Sequence, residues 1–573
     1  MQKPKSKRLR NSCRIFNTSG VLLILLLTSG CGLLRMDNPR KAGKYPEKTE
    51  ALRLIGEVTP QRSCYDVKHY DLNLRLDPAK KSVEGIVTIT SQFTTRCDSV
   101  QLDLRPQFVI DRLLLDGVSV AFKRRHTAIF IPVHGEPGRT FTLAVSYSGI
   151  PEEARRPPWL GGAVWNVDTD LGTWAGVACE TEGASTWWPC KDHTSDEADS
   201  TSIHFTVPEG YTAVSNGRLV SSETKGSTVT WNWRVSYPIN TYNVTYYIGH
   251  FVHLHDVYQS KVTGQSLDLD YYVLPENKNV AVPHFSQVKS VLDVYEQRFG
   301  AYPWYRDGYK LVQSPYEGME HQTAIAYGEG FRNDALNGFD YIIVHETAHE
   351  WWGNSITAAD LGEGGWLQEG FATYAEALYV EATKGEKAYR EYLLDNQWSI
   401  KNKRPLVRPE GIRYFNFRDG DIYNKGSWML HSLRYVIGND SLFLGIIHDF
   451  AVTYKMQIVT PATFIQFVNV KTGKDYTWFF DQYLYKRFVP ELEYYVSGTK
   501  LYYRWSKRTA DHFSMPQRVA GTGGKDQFIS PEKEKVNVID VGNTYFSLPL
   551  ADYLVLREEN KKLVRLYRKQ GNK

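Results

Sequence analysis

Tyr341-Ile342-Ile343-Val344-His345-Glu346-Thr347-Ala348-His349 sets two histidines four residues apart behind a run of apolar residues. On a helix that spacing stacks both rings on one face, so both reach a single ion. The apolar lead-in predicts such a helix. Glu346 stands beside the pair, where a carboxylate takes the proton of a metal-activated water. Two imidazoles need a third ligand, and Trp366-Leu367-Gln368-Glu369-Gly370-Phe371-Ala372-Thr373-Tyr374 offers Glu369 on a second expected helix. His345, His349 and Glu369 with a fourth position open to water describe a catalytic site rather than a closed structural one. This donor set favours a single Zn²⁺. Two rival ligands are Glu363, in the glycine-rich stretch Gly362-Glu363-Gly364-Gly365 expected to form a loop, and Glu376, on the helical face of Glu369. Glu376 is expected to be solvated or to stand behind the ligands.

Around this segment the hydrophobic period is helical. Phe285, Val288, Leu292, Tyr295 and Phe299 share one face ahead of Gly300, and Met429, Leu433 and Val436 share another ahead of Gly438-Asn439. Upstream the period is two: Tyr70, Leu72, Leu74 and Leu76, then Val100, Leu102 and Leu104, then Phe141, Leu143, Val145 and Tyr147 alternate with polar residues. Residues 492–505 return to β character. The expected fold class is multidomain α+β: an N-terminal antiparallel β domain over 63–256, a mainly helical metal domain over 257–488 and a small C-terminal β domain over 489–573.

The first residues read as targeting. Lys3, Lys5, Lys7, Arg8, Arg10 and Arg14 precede the apolar run 21–27, which is too short to span a bilayer, and Thr28-Ser29-Gly30-Cys31 follows. This order predicts an export signal over 1–30, and its end resembles the lipobox of bacterial lipoproteins, with Thr28 where Leu is usual. That resemblance implies a lipid anchor at Cys31, membrane attachment outside the cytoplasm, and a polar tether over 31–62. Loss of the six named cations changes the net charge from +4 to −2. No basic run then remains to argue for a nucleic-acid partner. Of six cysteines, Cys64, Cys97, Cys179 and Cys190 fall in the body, none in a C-x-x-C pair, and Cys179 with Cys190 is one pairing open to an exported protein.

Beyond the histidine motif, Trp351-Trp352-Gly353-Asn354 and Glu369-Gly370-Phe371-Ala372-Thr373-Tyr374 stand in the order found in the gluzincin aminopeptidases, the family of aminopeptidase N and leukotriene hydrolase, which the chain resembles from about Tyr65 to its end. The resemblance implies a thermolysin-like zinc domain and peptide substrates with a free N-terminus. Gly318-Met319-Glu320-His321-Gln322 resembles the family's G-x-M-E-N element, with His321 in place of Asn; its glutamate, here Glu320, grips the substrate's α-ammonium in the family. Glu180, in Cys179-Glu180-Thr181-Glu182, matches a second amine-binding position, with Glu182 as the alternative and Ala178 where Gln is common. Tyr423-Asn424-Lys425-Gly426 resembles the Y-x-K-G element, whose phenol donates to the oxyanion.

Two departures stand out. Nineteen residues separate His349 from Glu369, where the family has eighteen, which puts Gln368 at the usual ligand position. The chain also stops at Lys573, where many members continue into a helical domain over the site; an open cleft is expected, with long peptides cut at least as readily as dipeptides. Endopeptidase or epoxide-hydrolase chemistry on the same metal site, and a silent peptide-binding surface protein, are the competing readings.

Overall fold

The computed structural model describes residues 48–168, 172–408, 411, 420–522, 525–542 and 546–571. The export signal, Cys31 and the tether before residue 48 lie outside the described residues. Among the described residues no helix is long and apolar enough to cross a membrane.

The expected tether is ordered from residue 48. Thr49 caps the helix Glu50–Gly56 and Thr59 caps Pro60–Ser63. Arg62 explains the ordering: it is buried, pairs with Asp103 at 2.8 Å and donates to the carbonyls of Glu57 and Leu54 at 2.6 Å each. A buried guanidinium holds its chain in place only when its donors are met in this way. The expected tether span 31–62 is corrected on this point.

The N-terminal domain is β-rich, as its period of two predicts. Its main sheet has eight strands among the described residues, in the order Arg218–Lys225, Thr228–Val235, Ser200–Pro208, Tyr65–Asp77, Ser82–Phe93, Thr140–Gly149, Val109–Leu115, Val118–Ser119. The expected antiparallel pattern has one exception. Tyr65–Asp77 runs parallel to Ser200–Pro208, with Leu72 opposite Ile203. The alternating Tyr70, Leu72, Leu74 and Leu76 all face the core.

Val252–Gln259 straddles the expected boundary at 256/257 but pairs with Ser266–Val273, part of the five-stranded sheet of the next domain. The seam therefore falls before Val252. That mixed sheet ends on the short strand Gly318–Met319, antiparallel to Ile325–Tyr327. Helices pack behind it. The single helical face read over 285–299 is two helices, Lys278–Phe285 and Val288–Phe299. The later helix is Asp421–Ile437, stopped by Gly438 at φ 66°.

The last segment forms the sheet Asn537–Asp540, Lys500–Trp505, Glu491–Ser497, Leu556–Glu559, and ends in the helix Lys562–Lys569. Leu492, Leu501, Trp505 and Phe513 share one core with the metal domain. No disulfide joins Cys64, Cys97, Cys179 or Cys190, and Cys64 stands in a hydrogen bond with Cys97.

Candidate metal centre and amine site

Asp340 starts the first metal helix, Tyr341–Ala348, by accepting from the N–H groups of Ile342 and Ile343 at 3.0 and 3.3 Å. His349 is its C-cap and keeps right-handed helical geometry, so the i, i+4 pairing survives at the helix end. Asp360 caps the second, Leu361–Lys384, through the N–H of Glu363. The expected loop at 362–365 is thus the first turn of this helix. Its glycines allow the turn to lie flat: a Cβ on Gly364 would stand 2.5 Å from that of Ala358.

His345, His349 and Glu369 meet, with one ligand atom from each within 4.8 Å of the others. Glu369 takes part despite the nineteen-residue spacing, whereas Gln368 is buried on another face, against Gly353. Glu363 is outside the cluster. Glu376 stands behind it: its Oε1 accepts from His345 Nδ1 at 2.6 Å and its other oxygen takes the Tyr392 hydroxyl. His349 Nδ1 donates to the Trp352 carbonyl at 2.8 Å.

These bonds test the fit of a cation. With both Nδ1 atoms acting as donors, the two Nε2 atoms are lone-pair acceptors that face each other at 3.2 Å, and each lies 3.4 Å from Glu369 Oε2. Three acceptors converging in a buried place suit a metal ion and satisfy nothing else.

The other carboxylates gather beside the ligands. Glu346 is buried, and a Cβ on Gly318 would lie 2.6 Å from its Oε1, so the strand Gly318–Met319 passes directly over it. Burial, with Glu320 and Glu369 close by, pushes Glu346 up to about 8 against the pull of the two histidines. Glu320 accepts the Tyr242 hydroxyl at 3.1 Å, and its carbonyl accepts from Asn354 Nδ2 at 2.8 Å. Glu180 is buried with Oε1 lacking a hydrogen-bond partner, and burial followed by the charges of Glu320, Glu369 and Glu346 raises its carboxyl. Glu182 turns away, accepting from Gly161 N–H at 3.1 Å. Tyr423 stacks on His345 with ring centroids 6.1 Å apart and bonds Glu369; burial and the Glu369 and Glu180 charges keep it a neutral phenol. His321 does not face this site: its Nδ1 meets the Tyr247 hydroxyl at 2.7 Å, and burial lowers it to about 3.

Tyr242 and Tyr392 carried no signal in the sequence. Tyr242 lies in a short turn of the N-terminal domain, and Tyr392 on the helix Glu386–Gln397, where an isolated tyrosine reads as packing. Asn354 was visible only as part of Trp351-Trp352-Gly353-Asn354.

Residues 284–483 match the model of the peptidase family M1 domain, and residues 66–243 that of the peptidase M1 N-terminal domain. Human endoplasmic reticulum aminopeptidase 2 is 27% identical over 280 residues, which are 45% of this chain and 28% of that protein. Aminopeptidase N of Streptomyces lividans is 29% identical over 271 residues, 43% of this chain and 30% of that one. The chain thus spans about a third of the length of these two relatives. Among solved structures, an M1 zinc metallopeptidase from Deinococcus radiodurans superposes with a TM-score of 0.62 at 23% identity, covering 76% of this chain and 96% of that one. Yeast LTA4 hydrolase gives 0.63 at 18%, covering 79% and 72%. With two family models matched in order along more than half of its length, this chain belongs to the peptidase M1 family.

Proposed function

We propose that the protein is a zinc-dependent aminopeptidase that removes N-terminal residues from peptides. One observation carries this reading: Glu180, Glu320, Glu346 and Glu369 crowd one buried site, and the strongest influences on each are burial, one another and the two histidines. So much negative charge away from water calls for cations. A metal between His345, His349 and Glu369 supplies one, and a substrate's α-ammonium at Glu320 and Glu180 supplies another.

When bound, zinc at these ligands polarises a carbonyl and acidifies a water. Glu320 and Glu180 hold the ammonium, which measures one residue to the bond that breaks. The edge strand Gly318–Met319 leaves one side open for the peptide backbone to pair. Glu346 takes the proton of the attacking water and returns it to the departing amine. The Tyr423 hydroxyl donates to the oxygen on which negative charge develops.

The test is hydrolysis of free and N-acetylated aminoacyl amides by the zinc-loaded protein and its Glu346→Gln variant at matched metal content. Cleavage of the free-amine set alone, lost in the variant, is expected. Equal cleavage of both sets rejects the exopeptidase reading, and no cleavage of either rejects hydrolysis of aminoacyl amides altogether.

Export and tethering through Cys31 are proposed with it, supported by the order of basic, apolar and small residues ahead of that cysteine. Incorporation of labelled fatty acid, lost in Cys31→Ser, is the expected result.

A further inference from the structure

A cavity of about 310 Å³ opens beside His345. Its polar lining includes Asp334, Thr373, Glu376, Asn396 and Asn424, with the rings of Tyr341 and Tyr423 as walls on the metal side. Tyr341 and Tyr423 both stack on His345, whereas Glu180, Glu320 and His349 are absent from the lining. The cavity therefore lies on the His345 side of the metal cluster, away from the carboxylates that would hold the ammonium. A peptide whose first residue is gripped there, with its first carbonyl at the metal, sends the side chain of its second residue toward this space.

The charged residues described in the lining are acidic. Among the described residues of the lining, Asp334 and Glu376 are the charged ones, and none is a lysine, arginine or histidine. Glu376 is engaged through both oxygens, by His345 and Tyr392. Asp334 is held differently. Its Oδ1 accepts from the N–H groups of Leu336 and Asn337 at 3.0 and 2.7 Å, which fixes the carboxylate and leaves Oδ2 for a ligand. Lys384 approaches from outside, bonding the Asn337 carbonyl with its ammonium over the Phe339 ring, and is not part of the lining. Thr373, one helical turn beyond Glu369, adds an independent sign of a missing partner: it is 5% exposed, it lines the cavity, and its hydroxyl has no hydrogen-bond partner. A buried hydroxyl without a partner costs free energy that a polar ligand recovers.

We infer that this cavity receives the side chain of the substrate's second residue and selects a cationic one, lysine or arginine, through Asp334. A long side chain with a donor at its tip suits a fixed carboxylate in the lining of a polar cavity, whereas an aliphatic one leaves Asp334 and Thr373 unmet and an acidic one meets like charge. The inference rests on the aminopeptidase reading for the direction in which the peptide runs.

Two measurements test it. The first is kcat/KM of the zinc-loaded protein for Ala-Lys-Ala, Ala-Leu-Ala and Ala-Glu-Ala. Lysine is expected to exceed leucine by about fivefold or more, with glutamate lowest. Asp334→Asn, which keeps the Oδ1 acceptor and whose folding is checked by its melting temperature, is expected to bring the lysine-to-leucine ratio close to one. The second is calorimetric binding of alanyl-lysinamide and alanyl-leucinamide to the metal-free protein, with alanyl-lysinamide tighter in the wild type and the difference lost in Asp334→Asn. Equal rates for the three peptides, or a lysine preference untouched by Asp334→Asn, overturn the inference while leaving the aminopeptidase reading intact. If no free-amine peptide is cut, that reading falls, and the binding arm alone decides: selective alanyl-lysinamide binding through Asp334 keeps the cation site, and its absence removes it.

Discussion

His345 and Glu376 are joined by a 2.6 Å hydrogen bond from Nδ1 to Oε1, and the second carboxylate oxygen is held by Tyr392. The bond fixes the ring so that Nε2 faces His349 and Glu369. Glu376→Gln is expected to weaken zinc binding by about 10- to 100-fold, measured by competition with a chelator, because an unoriented imidazole must be ordered on binding. Unchanged affinity would reduce Glu376 to a packing role.

Tyr423→Phe removes one donor and little volume. With the phenol kept neutral by burial and by Glu369 and Glu180, its hydroxyl is positioned to donate to a developing oxyanion. A fall in kcat of about 10²- to 10³-fold with KM near that of the wild type is expected. A change confined to KM would assign the ring to ground-state binding.

Gly318→Ala tests the contact between the edge strand and the base. The added Cβ meets Glu346 Oε1 at 2.6 Å and Ile342 Cγ2 at 3.0 Å, so the carboxylate or the strand must move. A loss of activity of about tenfold or more at preserved zinc content is expected, since small misplacements of a reacting group are costly. Full activity would show that Glu346 tolerates displacement.

Gly426→Ala tests how Tyr423 reaches the metal site. Its Cβ would stand 2.8 Å from Gly370 Cα, backbone against side chain, where the helix Asp421–Ile437 crosses the second metal helix. Overpacking there is expected to cost about 1–3 kcal/mol, read as a lowered melting temperature, together with a fall in kcat as Tyr423 is carried away. An unaltered melting temperature would contradict the close approach.

Glu197 gives the domain seam a pH dependence. It accepts the Thr357 hydroxyl at 2.5 Å, and burial pushes its carboxyl up to about 7, against that hydrogen bond, while an unfolded chain titrates it near its ordinary value of 4.5. Between those values the folded protein holds a proton that the unfolded chain has lost, so this group's contribution to stability declines as pH rises through the window. Glu197→Gln is expected to flatten the decline by about 1 kcal/mol or more, followed by denaturant unfolding at pH 5 and pH 7.5. Parallel pH profiles for the two proteins would exclude Glu197 as a source.

The candidate metal ligands, the proposed base and the proposed phenol were legible in the chain because each sits in a short motif, and the division into β-rich and helical parts was legible because hydrophobic period is local. Glu369 was readable from its surrounding Trp366-to-Tyr374 segment even though the count from His349 departed by one, since the first turn of a glycine-rich helix absorbs such a change. What tertiary structure decided lies between segments far apart in sequence. Tyr242 reaches Glu320 across 78 positions, Arg62 orders the expected tether by meeting Asp103, and Glu180 rather than Glu182 turns toward Glu320. The charge state of the site was equally out of reach of the sequence, because desolvation and the mutual repulsion of four carboxylates exist only once the N-terminal β domain closes over the metal helices. Periodicity and motif spacing are properties of neighbours along the chain; burial, and the partners that make burial tolerable, are properties of the folded whole.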